Sequence, residues 1–150
     1  ELTTKGGAEF EPLRNILLPV DEAALGALAI EPVARLAELF ESRVILLKVL
    51  QPKGRTPVTD AAAEAAKKEL AALAKRIGKR GVETGVVVGQ GEPVEEILKS
   101  VRFHEIDLIA MPTHGRRGLK RILLGSVTEQ VLREARVPLL ILRPAKPAAR

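Results

Sequence analysis

The chain has 150 residues with an apolar fraction of 46%, enough for a buried core, and residues 1–150 are expected to form a single domain. It contains no cysteine, which excludes disulfides and thiol chemistry, and its two distant histidines argue against a zinc site. An excess of 24 Lys and Arg over 19 Asp and Glu gives a net charge of +5 and favours anionic partners. There is neither a run of about 18 apolar residues nor a secretory signal pattern, so a cytoplasmic protein without a membrane span is expected.

Nucleic acid is one class of anionic partner, but the composition disfavours it. Three Phe and no Tyr or Trp leave few aromatic side chains on which bases could stack. A row of Lys and Arg on the second predicted helix is interpreted as a solvated surface, as charged helix faces usually are. A small molecule that carries phosphate uses the same positive charge without needing aromatic side chains, and it is therefore the favoured partner.

Short apolar runs alternate with helical patterns along the chain. Runs without polar alternation are typical of parallel strands that are buried on both faces. The predicted strands are residues 16–20, 44–49, 82–88, 108–111 and 139–142, and the predicted helices are residues 23–41, 61–78, 94–104 and a fourth that begins at residue 126. This order predicts an α/β fold with one doubly wound, five-stranded parallel sheet and helices on both faces. Residues 1–11 and 144–150 show no apolar period and are predicted to be flexible.

The sequence also predicts the roles of several single residues in the helices. Apolar residues at helical spacing are predicted to face the sheet, including Phe40 in the first helix and Leu132 in the fourth. Pro32 indicates either a later start of the first helix or a kink within it. Asp60 is predicted to cap the second helix, and Ser126 is predicted to cap the fourth through a capping box.

A glycine-rich basic loop lies between the fourth strand and the fourth helix. Its glycines and cations are Gly115, Gly118, Gly125, Arg116, Arg117, Lys120 and Arg121. A glycine loop that leads into a helix N-terminus suits an anion, because free N–H groups and the positive end of the helix dipole point at it. Ordinary turn chemistry explains the glycines as well, but it requires neither the cations nor a length beyond the usual connection of about 2–6 residues.

The spacing of residues in this loop resembles the signature of the universal stress protein family. ATP-binding members of that family carry a glycine, two further residues, a second glycine, nine residues, and then a third glycine followed by Ser or Thr. The second glycine corresponds to Gly115, and the third with its hydroxyl corresponds to Gly125 and Ser126. The first corresponds to Pro112, a departure that removes a backbone N–H from this position. The resemblance extends over residues 15–143.

The resemblance implies a Rossmann-like sheet with strand order 3-2-1-4-5. In that order, the carboxyl ends of the first and fourth strands lie side by side, at the switch point where α/β sheets bind ligands. The family places an Asp against the adenine at the position of Asp21, within Pro19-Val20-Asp21, and a strand backbone beside the adenine at Val49. From the residues alone, Asp21 can instead be a helix cap and Val49 a core residue.

The resemblance further implies an adenine nucleotide as the ligand. ATP is expected, with ADP or AMP as alternatives and with Mg²⁺ arriving on the phosphates. The predicted binding residues are Pro19, Val20, Asp21, Val49, Met111, Pro112, Thr113, His114, Gly115, Arg116, Arg117, Gly125, Ser126 and Val127. Neither a P-loop nor a nucleophile with its base is recognisable, so the site is better suited to holding a nucleotide than to turning it over. The resemblance implies a nucleotide-binding regulatory module of the stress response. It is not expected to be an enzyme, beyond slow ATP hydrolysis or autophosphorylation.

The fifth strand lies at a sheet edge in this order, and an apolar edge strand is an aggregation hazard unless it is covered. A homodimer in which these edges meet near residues 137–143 is therefore expected. Three other hypotheses stay open: a universal stress protein that acts without ATP through dimerisation and protein partners, an enzyme that makes adenylated intermediates, and a nucleic-acid binder. The departure at Pro112 supports the ATP-independent protein. The adenylating enzyme would need a specific loop after the first strand, which the residues after Asp21 do not provide. The nucleic-acid binder depends on the positive charge alone.

Overall fold

The computed structural model describes residues 12–113 and 124–143, in which strands and helices alternate. The strands are β1 (Asn15–Pro19), β2 (Arg43–Leu50), β3 (Thr84–Gln90), β4 (Leu108–Pro112) and β5 (Leu139–Leu142). The helices are α1 (Ala23–Phe40), α2 (Asp60–Gly78), α3 (Pro93–Phe103) and α4 (Ser126–Glu134). The paired strands are parallel, and their order is β3-β2-β1-β4-β5. The predicted fold class and strand order are thus confirmed, and the predicted bounds differ by one or two residues.

The sheet is buried on both faces by separate layers of helices. On one face, α1 and α2 cover alternate strand residues such as Leu18 and Leu46. On the other face, α3 and α4 cover the residues between them, such as Leu17 and Leu47. Successive side chains of a strand point to opposite faces, so a strand that is buried on both sides is apolar at nearly every position. No helix in the described parts of the chain is long and apolar enough to span a membrane.

Two predicted helix caps are wrong by one residue. α2 is capped by Thr59, whose Oγ1 accepts a hydrogen bond from the Ala62 N–H at 3.1 Å, while Asp60 is the first helical residue. α4 is capped by Gly125, and Ser126 begins the helix without a side-chain capping bond. In each helix, the residue before the predicted cap has the non-helical backbone that a cap requires.

Three predictions about positions on α1 and α4 are also corrected. Pro32 lies inside α1, so the later start of that helix is wrong. Phe40 is 52% exposed because it is the last residue of α1, where the chain turns away through Glu41 at φ 54°. Leu132 is 53% exposed because it follows the buried Val131 by one position, which turns it about 100° around the helix.

Candidate functional site

The candidate site opens where β1 and β4 separate. Their pairing ends at Leu17 and Ile109, although β4 continues beside β5 as far as Pro112. A gap therefore forms between the carboxyl ends of two neighbouring strands. Open α/β sheets bind ligands at such a place, where the strand order reverses.

Two prolines explain why the strands separate there. In a parallel sheet, the backbone groups of alternate residues point to the two neighbouring strands. Thr113 donates its N–H to β5 at 2.9 Å, so the preceding Pro112 faces β1. Val20 donates its N–H to β2 at 2.8 Å, so the preceding Pro19 faces β4. Because neither proline has an N–H, neither can donate the bond that would continue the ladder between β1 and β4.

The same geometry explains how a proline is accommodated in an inner strand. Because the backbone nitrogen of Pro112 points to β1, its missing N–H breaks no hydrogen bond between β4 and β5. Pro112 therefore still pairs in register with Leu142. Proline is tolerated in a strand where its missing N–H leaves no ladder bond unmade. What Pro112 removes is one backbone donor that would otherwise point into the gap.

A cavity of about 310 Å³ occupies this gap and reaches the N-termini of α3 and α4. Its volume is at the lower end of the range for small-molecule sites, about 300–1,000 Å³. The predicted binding residues within the described ranges all line it, namely Pro19, Val20, Asp21, Val49, Met111, Pro112, Thr113, Gly125, Ser126 and Val127. The other predicted binding residues, His114, Gly115, Arg116 and Arg117, lie outside the described residues.

The cavity wall also contains residues that were not predicted from the sequence. These are Leu25, Leu47, Gln51, Pro93, Ile97, Leu124 and Thr128. Pro93 and Ile97 are four positions apart on α3, a spacing that places them on one face of the helix. That spacing is visible in the sequence, but it does not reveal that this face of α3 borders the gap between β1 and β4.

β2 extends beyond the end of β1, and this exposes the backbone of Val49. Leu47 O accepts the Val20 N–H at 2.8 Å, so Leu47 faces β1, and Val49, two residues later, faces the same side. β1 ends at Pro19, in register with Leu47, and therefore offers Val49 no partner. Outside the regular ladders, the described residues form no backbone hydrogen bond to Val49. One N–H and one C=O thus point side by side towards the cavity.

The N-terminus of α4 borders the same cavity with its backbone donors uncapped. Gly125 has φ 78° and ψ 156°, and its C=O accepts the Glu129 N–H at 3.0 Å, but no side chain caps the helix. The N–H groups of Ser126 and Val127 in the first turn therefore have no partner within the helix. The helix dipole adds the equivalent of about half a positive charge at this point. This end of the cavity is suited to an anion.

The N-terminus of α3 borders the cavity too, but it has the opposite character. The side chain of Glu92 accepts a hydrogen bond from the Glu95 N–H at 3.1 Å and so satisfies one of the free donors. Glu95 and Glu96 add two carboxylates to the first turn of α3, whereas the first turn of α4 has one, that of Glu129. An anionic group is therefore attracted to α4 and repelled by α3. The cavity therefore has one end that favours an anion, at α4, and one end that disfavours it, at α3.

Asp21 is an exposed residue that lines the cavity just after β1. The alternative that it caps α1 is wrong, because Glu22 occupies the N-cap position and no side chain makes a capping bond there. The carboxylate is thus left as an acceptor at the cavity wall. In the described parts of the chain, no three His, Cys, Asp or Glu side chains converge as metal ligands.

Comparisons with known proteins give the family of the chain. Residues 12–143 match the model of the universal stress protein family. The chain is 30% identical over 142 residues to the universal stress protein MJ0531 of Methanocaldococcus jannaschii, which covers 89% of this chain and 84% of that protein.

Solved structures agree with the sequence relatives. The hypothetical protein MJ0577 of the same organism is 28% identical, with a TM-score of 0.74 over 91% of this chain and 100% of that one. The universal stress protein from Archaeoglobus fulgidus in complex with dAMP is 21% identical, with a TM-score of 0.68 over 87% of this chain and 98% of that one, and so shares the fold. The family match over residues 12–143, together with the observed sheet, shows that the chain belongs to the universal stress protein family.

Proposed function

We propose that the protein is a cytoplasmic regulatory module of the stress response that binds ATP, or ADP or AMP, in the cavity between β1 and β4. One observation carries this proposal: the cavity offers an unpaired backbone N–H and C=O at Val49 and an uncapped helix N-terminus at Ser126. A nucleotide has the matching parts, since its base carries donors and acceptors and its phosphates are anions.

The backbone of Val49 suits adenine better than guanine. Adenine carries an amino donor on C6, whereas guanine carries a carbonyl acceptor at the same position. The C=O of Val49 can accept from the amino group while its N–H donates to the neighbouring ring nitrogen. With guanine, two carbonyl oxygens would face each other and remain unpaired, at a cost of about 1–3 kcal/mol. The carboxylate of Asp21 is proposed as a further acceptor for the base.

The phosphates are proposed to lie at the N-terminus of α4. Helix N-termini that follow glycine bind phosphate with their free N–H groups, and here Gly125 precedes Ser126 and Val127. His114 and the cations Arg116 and Arg117 are proposed, from the sequence, to complete the phosphate contacts. Mg²⁺ is proposed to arrive with the phosphates. The Archaeoglobus relative was solved with dAMP, an adenine nucleotide, which supports this class of ligand for the fold.

Binding, and no turnover beyond slow hydrolysis or autophosphorylation, is the proposed biochemical role. Catalysis by covalent attack needs a nucleophile, a base within hydrogen-bond reach and a group that orients the base. The cavity wall in the described ranges contributes mainly apolar side chains, backbone groups, the hydroxyls of residues such as Ser126 and one carboxylate, that of Asp21. These features hold a nucleotide without activating a nucleophile against it.

We also propose that the protein acts as a homodimer through β5. Leu139–Leu142 form an edge strand whose residues are only partly buried. Leu28 of α1, which is 54% exposed, lines a small cleft with Leu142 and extends this apolar edge. Pairing between two such edges would cover the unpaired backbone groups of both.

A second candidate function is supported by Pro112. This residue takes one backbone donor away from the gap, and its ring forms part of the cavity wall. A universal stress protein with this departure can act without ATP, through dimerisation and protein partners. The two candidates differ in one measurable property, the affinity for adenine nucleotides.

Calorimetric titration with Mg-ATP tests the proposed function directly. The most informative comparison is between the parent protein and the Pro112→Gly variant. We expect the parent protein to bind ATP at micromolar concentration and GTP more weakly. Pro112→Gly should bind ATP about tenfold more tightly, because a glycine supplies the missing donor and removes the ring from the wall.

Pro57→Gly is the matched control, because Pro57 lies in the segment between β2 and α2 and does not line the cavity. Its affinity for ATP should equal that of the parent protein. Absence of binding heat with ATP in both the parent and Pro112→Gly would contradict nucleotide binding and leave the ATP-independent dimer as the better candidate.

A further inference from the structure

The outer edge of β3 is a long strand edge without the usual protection. β3 forms one end of the sheet and runs from Thr84 to Gln90 with the sequence Thr-Gly-Val-Val-Val-Gly-Gln. Proteins commonly protect an edge strand by making it short or by placing Pro or charged residues in it. β5, at the other end of the sheet, has four residues and follows Pro138, whereas β3 has seven and contains neither proline nor charge.

The backbone of β3 presents a regular row of donors and acceptors at this edge. Glu83 O accepts the Val44 N–H at 2.9 Å, and Gly91 N–H donates to β2 at 3.0 Å, so the odd-numbered residues face β2. The even-numbered residues Thr84, Val86 and Val88 therefore point their N–H and C=O groups outwards. Outside the regular ladders, the described residues supply no backbone partner for these groups. A further strand can pair with this row.

A groove of about 550 Å³ runs between the N-terminal part of this edge and the C-terminal part of α2. Small residues of the helix, Ala71, Ala74 and Gly78, leave room in it, and Val86 of β3 is 40% exposed beside it. Side chains of an added strand that point to this face of the sheet would enter the groove. The groove can therefore contact every second side chain of the added strand.

The charge of the groove is positive. Lys75 and Lys79 line it, and Lys68 lies two turns before Lys75 on the same side of α2. Neighbouring lysines make ion pairs at 2.8 Å and 2.9 Å, from Lys48 to Glu69 and from Lys67 to Glu64. In contrast, Lys68, Lys75 and Lys79 make no salt bridge with any residue of the described ranges. Positive charge without a partner at this edge favours an acidic ligand.

We propose that the β3 edge and the lysine-lined groove of α2 form a docking site for an extended acidic segment of a partner protein. The segment adds to β3 as a sixth strand and places carboxylates at alternate positions over Lys68, Lys75 and Lys79. This site lies at the opposite end of the strand order from β5, and it does not depend on the proposed nucleotide binding.

Two other occupants fit this surface less well. A second copy of the chain would bring another row of lysines to the same edge, and juxtaposed like charges oppose association. A nucleic acid would pair with the lysines but not with the outward N–H and C=O groups of β3, and the edge has no aromatic side chain on which a base could stack. A peptide uses both the charge and the backbone row.

A fluorescently labelled peptide of sequence Thr-Glu-Val-Glu-Val-Glu-Thr, blocked at both ends, tests the proposal by anisotropy. We expect it to bind the parent protein, and the same peptide with Lys in place of Glu to bind at least about tenfold more weakly. The double variant Lys75→Glu with Lys79→Glu should also lose at least about tenfold in affinity for the acidic peptide. Its matched control is Arg102→Glu with Arg133→Glu, which makes the same charge change on the last turns of α3 and α4.

Val86→Pro distinguishes strand addition from general attraction of charge. The backbone N–H of Val86, which a proline lacks, points outwards and takes no part in the bonds between β3 and β2. The variant therefore keeps those bonds and loses one bond to the added strand. We expect weaker peptide binding with unchanged affinity for ATP. Equal peptide binding by the parent and the Lys75→Glu, Lys79→Glu variant would overturn the proposal. So would failure of the acidic peptide to bind at millimolar concentration, or tighter binding of a single-stranded oligonucleotide than of the peptide.

Discussion

Gly125→Val is expected to weaken ATP binding by about a hundredfold or more while the protein still folds. The backbone of Gly125, at φ 78° and ψ 156°, lies in a region that is essentially confined to glycine. No atom of the described residues lies within 4 Å of a Cβ built at this position, so the expected effect is one of backbone conformation. A valine can relieve the strain of about 1–3 kcal/mol only by rotating the backbone. That rotation would turn the first N–H groups of α4 away from the cavity.

Gly81→Val is the matched control for this prediction. Gly81 has φ 77°, and here too no atom of the described residues lies within 4 Å of an added Cβ, but Gly81 lies in the turn between α2 and β3, away from the cavity. Both variants should lower the urea midpoint of unfolding by similar amounts, because both force a valine to a positive φ. Only Gly125→Val should lose calorimetric binding of Mg-ATP. Full binding by Gly125→Val, or equal loss in both variants, would show that the N-terminus of α4 does not hold the phosphates.

Leu46→Ala is expected to cost about 2–5 kcal/mol of the free energy of unfolding. Leu46 lies in β2, between β1 and β3, and is fully buried in the core beneath α1 and α2. Removing its side chain leaves a cavity that well-packed neighbours fill only in part. A loss of this size is a large fraction of the stability of a domain, which is typically about 5–15 kcal/mol.

Leu39→Ala makes the same chemical change on the surface, because Leu39 is 75% exposed. It should change the free energy of unfolding by no more than about 0.5 kcal/mol. Urea unfolding followed by circular dichroism compares the two variants, with the midpoint as the observable. Similar midpoints for Leu46→Ala and Leu39→Ala would contradict the observed packing of β2.

The alternation of strands and helices was predictable because each inner strand is apolar on both faces. Runs such as residues 16–20 and 44–49 carry that pattern whatever the tertiary structure. Their order in the sheet came from the resemblance to a known family, since periodicity says nothing about which strands are neighbours. The predicted order is confirmed by the observed pairing of β1 with both β2 and β4.

The backbone details of the site were less accessible to prediction. A capping box at Ser126 and a glycine cap at Gly125 are both compatible with the same residues, and only the backbone angles show that Gly125 is the cap. Likewise, Pro19 and Pro112 are far apart in the sequence. The direction of each N–H depends on the strand register, which sequence patterns do not define.

Helix positions were missed where tertiary contacts decide exposure. Phe40 follows the apolar spacing of α1, yet the helix ends there and its ring is left half exposed. Pro93 and Ile97 lie near the start of α3, and the bounds of this helix were predicted to within one residue. Their place on the cavity wall, however, depends on how α3 crosses the sheet. Such packing is set by contacts distant in sequence, which a local pattern cannot contain.

Amide chemical shifts of ¹⁵N-labelled protein during titration with Mg-ATP test most directly whether a nucleotide lies between β1 and β4. We predict that Val49 shifts at the base end and that Ser126 and Val127 shift at the phosphate end, while Val86 on the outer edge of β3 stays unchanged. Shifts confined to other surfaces, or no shifts at millimolar ATP, would contradict nucleotide binding in this cavity.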